Sequence, residues 1–281
     1  MTPYYRNLLE SSPSGSLLQK TVCGIPRRNT GEKDDYLGET QFEAVPGLIH
    51  RYPDRALILT TGRCALYCSH CNRRRIWNTG RRSKEEFREM ADYCKKHPEI
   101  REVILSGGDP LTMPESYLLE TVSLFKSISS VKLIRIGSRM PVVDPAAVTE
   151  ALCHRLSDML PIWFLTQFNH SEEVTEEAEA ACRRLQKAGI PVLNQSVLLK
   201  GINNSEEVLY SLFTRLAECG VKPYYLFHCE PAAGTRHFIS DKYEGLEIMN
   251  RLKKRLGGFS VPAYIEDTPE KGKVPVEKLC E

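Results

Sequence analysis

Arg63-Cys64-Ala65-Leu66-Tyr67-Cys68-Ser69-His70-Cys71-Asn72-Arg73-Arg74-Arg75 comes straight after a short apolar run, residues 56–61, that closes on Thr60, Thr61 and Gly62. Three thiols within eight residues, at the end of a strand-like run, read as a loop that turns sulfur onto one metal centre. Zinc usually takes a fourth protein ligand, often from a second paired cluster, and only His70 is near enough in sequence to offer one. Three thiolates suit a four-iron cluster with one iron left open. Cysteines scattered through a core are the competing reading.

Outward from that loop the chain alternates two periods. Runs rich in Val, Ile and Leu at 56–61, 102–106, 132–136, 162–167, 192–197 and 223–227 predict strands. Stretches at 84–96, 117–128, 173–188 and 206–219, with apolar residues three and four apart, predict helices. A further helix start is expected at Pro145 after Asp144, and Gly189 and Gly220 suit helix ends. Six strand-helix units call for an α/β fold with a parallel sheet, because parallel neighbours need long crossovers. An open doubly wound sheet and a partial barrel both satisfy this pattern, and both bind ligands at the C-terminal ends of their strands. Polar residues gather there: Gly62 and Arg63, Ser106 to Asp109, Ser138 and Arg139, Asn169 and His170, His228 and Glu230.

The chain has 281 residues, 38 Lys+Arg against 36 Asp+Glu and a formal charge of +2, so bulk attraction to nucleic acid has no support. No apolar run reaches the roughly 18 to 20 residues of a membrane span, and no signal core follows the first basic residues, which makes the cytoplasm the expected compartment. Of the ten cysteines, Cys94, Cys153, Cys182 and Cys219 occupy apolar helix positions and are expected in the core. Cys23, Cys229 and Cys280 receive no assignment. Between Arg51 and Arg82 there are eight arginines and one acidic residue, Asp54. Such a field suits phosphate or carboxylate, which arginine binds bidentately, although a solvated basic face reads the same way.

The CxxxCxxC loop after a first strand resembles the signature of radical S-adenosylmethionine (SAM) enzymes, whose cluster reduces SAM to release a 5′-deoxyadenosyl radical. Leu105-Ser106-Gly107-Gly108-Asp109-Pro110 is similar to that family's segment for the methionyl amino group. From 43 to 276 the order of motifs resembles, more narrowly, the lysine 2,3-aminomutases, including the relative that prepares lysine for elongation factor P. The matching segments are His50 to Arg55, the Cys loop with Arg73-Arg74-Arg75, Ile134 to Arg139, Gln167 to His170, Asn194 to Leu199, Lys222 to Tyr225 and Gly272 to Pro275.

The resemblance implies a partial (β/α)6 barrel of the radical SAM type at 51–260, after a short N-terminal extension at 1–50 and before a C-terminal segment at 261–281 that packs on the barrel. It implies a [4Fe-4S] cluster on Cys64, Cys68 and Cys71, together with SAM and pyridoxal 5′-phosphate (PLP). Lys273 would hold PLP and act catalytically, with Lys271 as its neighbouring competitor. On composition alone, both lysines belong to an exposed tail. Arg51, Tyr52 and Arg55 would lie near the PLP phosphate. Ser106, Gly107, Gly108, Asp109, Ser138, Arg139, Gln167, His170 and Gln195 would complete the cofactor sites. Arg73 would take the substrate carboxylate, and Glu230 with Asp267 its distant amino group, which favours L-lysine, ornithine or arginine over glutamate. The expected reaction is an α- to β-amino acid 2,3-amino shift, supported by a flavodoxin- or ferredoxin-type reductant and compatible with a homo-oligomer. Three competing readings remain: the same chemistry on lysine destined for elongation factor P, a PLP-free radical SAM modifying enzyme, and a zinc or iron-sulfur protein whose Arg-rich loop binds RNA.

Overall fold

A computed structural model describes residues 1–22, 32–77 and 79–280, and Cys23 lies outside them. Helices α1 (Pro3–Ser11) and α2 (Gly15–Gln19) lead into strands β1 (Glu43–Val45), β2 (Leu48–Tyr52) and β3 (Arg55–Thr61). Then come α3 (Lys84–Lys96), β4 (Glu102–Gly107), α4 (Glu115–Lys126), β5 (Leu133–Gly137), α5 (Met140–Val143), α6 (Glu150–Ser157) and β6 (Ile162–Thr166). The chain continues through α7 (Glu176–Lys187), β7 (Val192–Leu198), α8 (Glu206–Glu218), β8 (Lys222–His228), α9 (Lys242–Arg255), β9 (Ala263–Thr268) and β10 (Gly272–Pro275).

All ten strands form one sheet in chain order. Strands β3 to β9 are parallel, each joined to the next through helix, while β1 and β2 on one edge and β10 on the other run antiparallel. Six β/α units are therefore followed by a seventh parallel strand, and the linear order leaves the barrel open. Residue 50, at the sequence-based division of extension from barrel, lies within β2.

Alternation along the strands separates two environments. Ala56, Ile58, Val103, Leu105, Ile134, Ile136 and Leu226 are fully buried beneath the helices. Their neighbours Leu57, Ile104, Arg135, Leu165, Gln195 and Phe227 turn to the concave face and line a cavity of about 310 Å³. Helix α3 shows how the outer layer closes. Ser83 and Glu86 cap each other's backbone, and Phe87, Met90, Ala91 and Cys94 form its buried face. Cys94, Cys153, Cys182 and Cys219 are all core residues, as their helical spacing predicts.

Two expected helices differ in their starts. Residue 173 is not the start of a helix: Glu173 lies in a 3-10 turn, its carboxylate bonded back to the backbone of His170, and α7 begins after Thr175. The helix expected at Pro145 is a 3-10 turn, with α6 following at Glu150.

Candidate active site

The cavity lies inside the sheet, open toward the C-terminal strand ends. Cys64, Cys68, Cys71, Arg73, Ser106, Gly107, Gly108, Asp109, Ser138, Arg139, Gln167, Gln195, Glu230, Asp267 and Lys273 all line it. Arg51, Tyr52, Arg55 and His170 stand outside that lining. The expected site residues thus come together from β3 round to β10, across more than 200 positions of sequence.

The Cys loop is pinned on both sides. Its Cys68 bridges Val22, and Ser69 N–H donates to the Thr21 carbonyl at 2.8 Å. Opposite, Gly108 N–H donates to Thr61 O at 2.6 Å and Asp109 N–H to Arg63 O at 2.8 Å. This approach is what the two glycines permit: a Cβ on Gly108 would stand 2.2 Å from Arg63 O, and Gly107 holds φ at +113°.

Asp109 is committed to the scaffold, accepting from Leu111 N at 3.0 Å and Arg139 N at 2.8 Å. Its burial raises the carboxyl above its usual range, against the opposing hydrogen bonds from Ser138 and the backbone.

Among the described residues, no three His, Cys, Asp or Glu side chains are gathered at metal-binding distance. The three thiols nevertheless face one space and meet donors suited to cluster thiolates. Arg139 Nη1 donates to Cys68 Sγ at 3.0 Å and Arg73 N–H to Cys71 Sγ at 3.4 Å. Burial pushes the Cys71 thiol up to about 11 and raises Cys64 further, so ionising these thiols needs a compensating cation.

Arg139, expected at a cofactor, lines the cavity and bonds within the protein through its guanidinium. Besides Cys68 it bonds Gln167 O at 3.1 Å, Tyr5 Oη at 3.4 Å and the fully buried carboxylate of Glu173. Tyr5 of α1 donates to the same carboxylate at 2.6 Å. His170 is a cap whose Nδ1 accepts from Glu172 N–H at 3.3 Å. Gln167 Nε2 lies 3.0 Å from His70 Nε2. Burial, followed by the charges of Arg139 and Arg74, pushes the His70 imidazole down to about 3 and keeps it neutral.

At the other end of the cavity, Lys273 Nζ stands 3.4 Å from Asp267 Oδ2, and Arg51 Nη1 lies 3.2 Å from Asp267 Oδ1. Arg51 also bonds the carbonyl oxygens of Thr268 and Pro269, so this arginine braces the β9–β10 turn. The Lys273 side chain is 36% exposed and lines the cavity. Desolvation lowers the amine's pKa, Asp267 opposes that, and Arg73 and Arg135 add to it. Lys271 is exposed at the turn and is not among the residues that line this cavity.

Tyr52 Oη is buried without a hydrogen-bond partner, and a Cβ on Gly272 would come within 2.4 Å of it. The Arg55 guanidinium lies 3.9 Å from the Tyr52 ring centroid. Arg135, which sequence reasoning did not single out, rises from β5 into the cavity with Nε buried and unpartnered. Arg135 also pairs with Glu102 and Arg55 with Asp54, so of these groups the Tyr52 hydroxyl and Arg135 Nε are the buried donors left without a partner, the kind of group a phosphate would satisfy.

Glu230 accepts from Asn72 Nδ2 at 2.7 Å. Burial pushes its carboxyl up to about 8, opposed by Asn72 and assisted by the Asp267 charge. Arg73 is held by Glu39, through Nε at 3.0 Å and Nη2 at 2.6 Å, and Arg75 Nη2 adds a third contact at 2.7 Å. Burial works against the Glu39 charge, yet Arg73 and then Arg75 hold its carboxyl down to about 2.

Residues 58–213 match the radical SAM superfamily model. A protein of Aquifex aeolicus provisionally named L-lysine 2,3-aminomutase is 44% identical over 98% of this chain and 76% of its own length. The L-lysine 2,3-aminomutase of Fusobacterium nucleatum is 39% identical over 98% of this chain and 66% of its own. The structure of a radical SAM methyltransferase from Sphaerobacter thermophilus superposes with a TM-score of 0.55 at 17% identity, covering 78% of this chain and 68% of that one, and shares the fold. The chain belongs to the radical SAM superfamily and, within it, to the lysine 2,3-aminomutase family, membership that implies a [4Fe-4S] cluster and SAM.

Proposed function

We propose that this chain moves the amino group of an α-amino acid from C2 to C3, with L-lysine and β-lysine as the pair, and that it uses PLP. The observation that supports this reading best is the shared cavity, in which the three thiols and the Gly107-Gly108 turn face the desolvated Lys273 amine. When bound, the cluster with SAM supplies hydrogen-atom abstraction and PLP supplies a delocalising ring.

The protein's contribution is placement and charge. Lys273, with its amine pKa lowered, is suited to condense with a carbonyl. Tyr52, Arg55 and Arg135 offer phosphate donors. Arg73 offers its guanidinium to the substrate carboxylate. Glu230 and Asp267 offer an acidic end for a distant cation: Asp267 already meets Lys273 and Arg51, and a cation arriving at Glu230 would favour loss of the proton that burial holds there. This end disfavours glutamate.

Nine described cysteines are free, which suits a reducing cytoplasm where a flavodoxin- or ferredoxin-type protein would be the electron source. Among the described residues, no helix is long and apolar enough to cross a membrane. Anaerobically reconstituted protein, offered lysine, ornithine, arginine and glutamate in turn, tests the reading by mass spectrometry of the β-amino acid. Rearrangement of glutamate in preference to lysine would overturn the acidic-pocket assignment.

A further inference from the structure

We infer that Glu39 is a positioning residue for substrate recognition: it presents Arg73 to the substrate carboxylate, which makes residues 32–42 part of the specificity device. The inference rests on the proposed role of Arg73. A guanidinium has two edges that can each hold a carboxylate bidentately, Nε with Nη2 and Nη1 with Nη2. Glu39 occupies the first, with both oxygens near Nε at 3.2 and 3.0 Å and Oε1 at 2.6 Å from Nη2. None of these bonds uses Nη1. Arg73 also lines the cavity, so the second edge is the one a substrate carboxylate would meet.

Glu39 is itself fixed. Only 5% of it is exposed, and Arg75 grips its second oxygen at 2.7 Å. Asp35 accepts from the backbone N–H of Glu39 at 3.0 Å and of Thr40 at 2.9 Å, and it pairs with Arg75 at 3.4 Å. Leu37 in the same segment lines the cavity. Asp35, Arg75, Glu39 and Arg73 thus alternate in charge and end at the site. With one edge of Arg73 locked, the guanidinium plane is set before substrate arrives, and less rotamer freedom is lost on binding.

The test uses the reconstituted enzyme with lysine as substrate and 1,5-diaminopentane, which lacks the carboxylate, as competitive inhibitor. For Glu39→Gln the KM for lysine is expected to rise about tenfold, equivalent to about 1.4 kcal/mol, with a smaller change in kcat. The inhibition constant of the diamine should stay within twofold. Arg73→Lys should lose the same discrimination, and the double variant should be no worse than Arg73→Lys alone.

Glu39→Asp, which keeps the charge but withdraws it by one methylene, should fall between wild type and Glu39→Gln. It carries the test alone if Glu39→Gln does not fold. If Arg73→Lys loses discrimination while the Glu39 variants keep it, the positioning role is overturned and the Arg73 assignment stands. If neither does, the Arg73 assignment falls and the inference falls with it.

Discussion

Glu173→Gln keeps the shape of a side chain with no exposed surface and removes its charge. The carboxylate accepts from Tyr5 Oη at 2.6 Å, Asn169 N at 2.6 Å and His170 N at 3.1 Å, and it neutralises Arg139, which is only 8% exposed. Removing one member of a buried pair leaves the other charge uncompensated, which costs about 3–5 kcal/mol. At roughly 2 °C per kcal/mol for a chain of this size, the melting midpoint should fall by about 6–10 °C.

Tyr5→Phe deletes the hydrogen bond donated to this charged acceptor and the longer one accepted from Arg139, and should cost about 1.5–3 kcal/mol. Its effect should shrink in the Glu173→Gln background, because both act through one network. Urea and thermal unfolding of the cluster-free protein, followed by circular dichroism, gives these values. Arg139 also donates to Cys68, so Glu173→Gln should lower the iron retained after reconstitution. A loss of under about 1 kcal/mol in Glu173→Gln, with additive behaviour in the double variant, would refute the reasoning.

Borohydride reduction of the PLP-loaded protein, followed by peptide mass spectrometry, should find the label on Lys273 and none in Lys273→Ala, whereas Lys271→Ala should label as wild type. Gly108→Ala drives a Cβ to 2.2 Å from Arg63 O and should cost about 1–3 kcal/mol, with weaker iron binding, read by unfolding and iron content. The Glu230 carboxyl holds its proton more tightly in the folded state, up to about 8 against an ordinary 4.5. Its contribution to stability is therefore full below about pH 4.5 and is lost as pH rises toward 8. Glu230→Gln should flatten that part of the stability-pH curve, and an unchanged slope would place the proton elsewhere.

Much of the barrel could be read from local pattern. Each of the six expected parallel strands appears within two residues of its expected limits, because β-branched runs under a helical layer leave a clear signal. Strand β9 gave less: Glu266 and Asp267 interrupt its apolar run, and both are buried. Burial of carboxylates in a strand is decided by partners far along the chain, here Lys242 and Arg51. The Cys loop and the Gly-Gly turn were legible as motifs, since their residues are neighbours in sequence.

Glu39 was not legible. Its value comes from meeting Arg73, 34 positions away, and nothing near it marks that encounter. Glu173 was read as the first residue of an amphipathic helix, because periodicity cannot distinguish a solvated first-turn acid from one turned inward on a buried arginine. His170 and Arg139 matched motifs, whereas the local bonds they make, a cap on Glu172 N–H and a brace on Cys68, depend on partners that the motifs do not name.

The most direct measurement is a single anaerobic turnover assay: reconstituted cluster, PLP, SAM and dithionite with L-lysine, reading β-lysine and 5′-deoxyadenosine by mass spectrometry. Both products should form, and both should disappear in Cys68→Ala; Lys273→Ala should yield no β-lysine. A protein carrying a full cluster and PLP that leaves SAM intact, or cleaves it and rearranges no amino acid, would contradict the proposed aminomutase reaction.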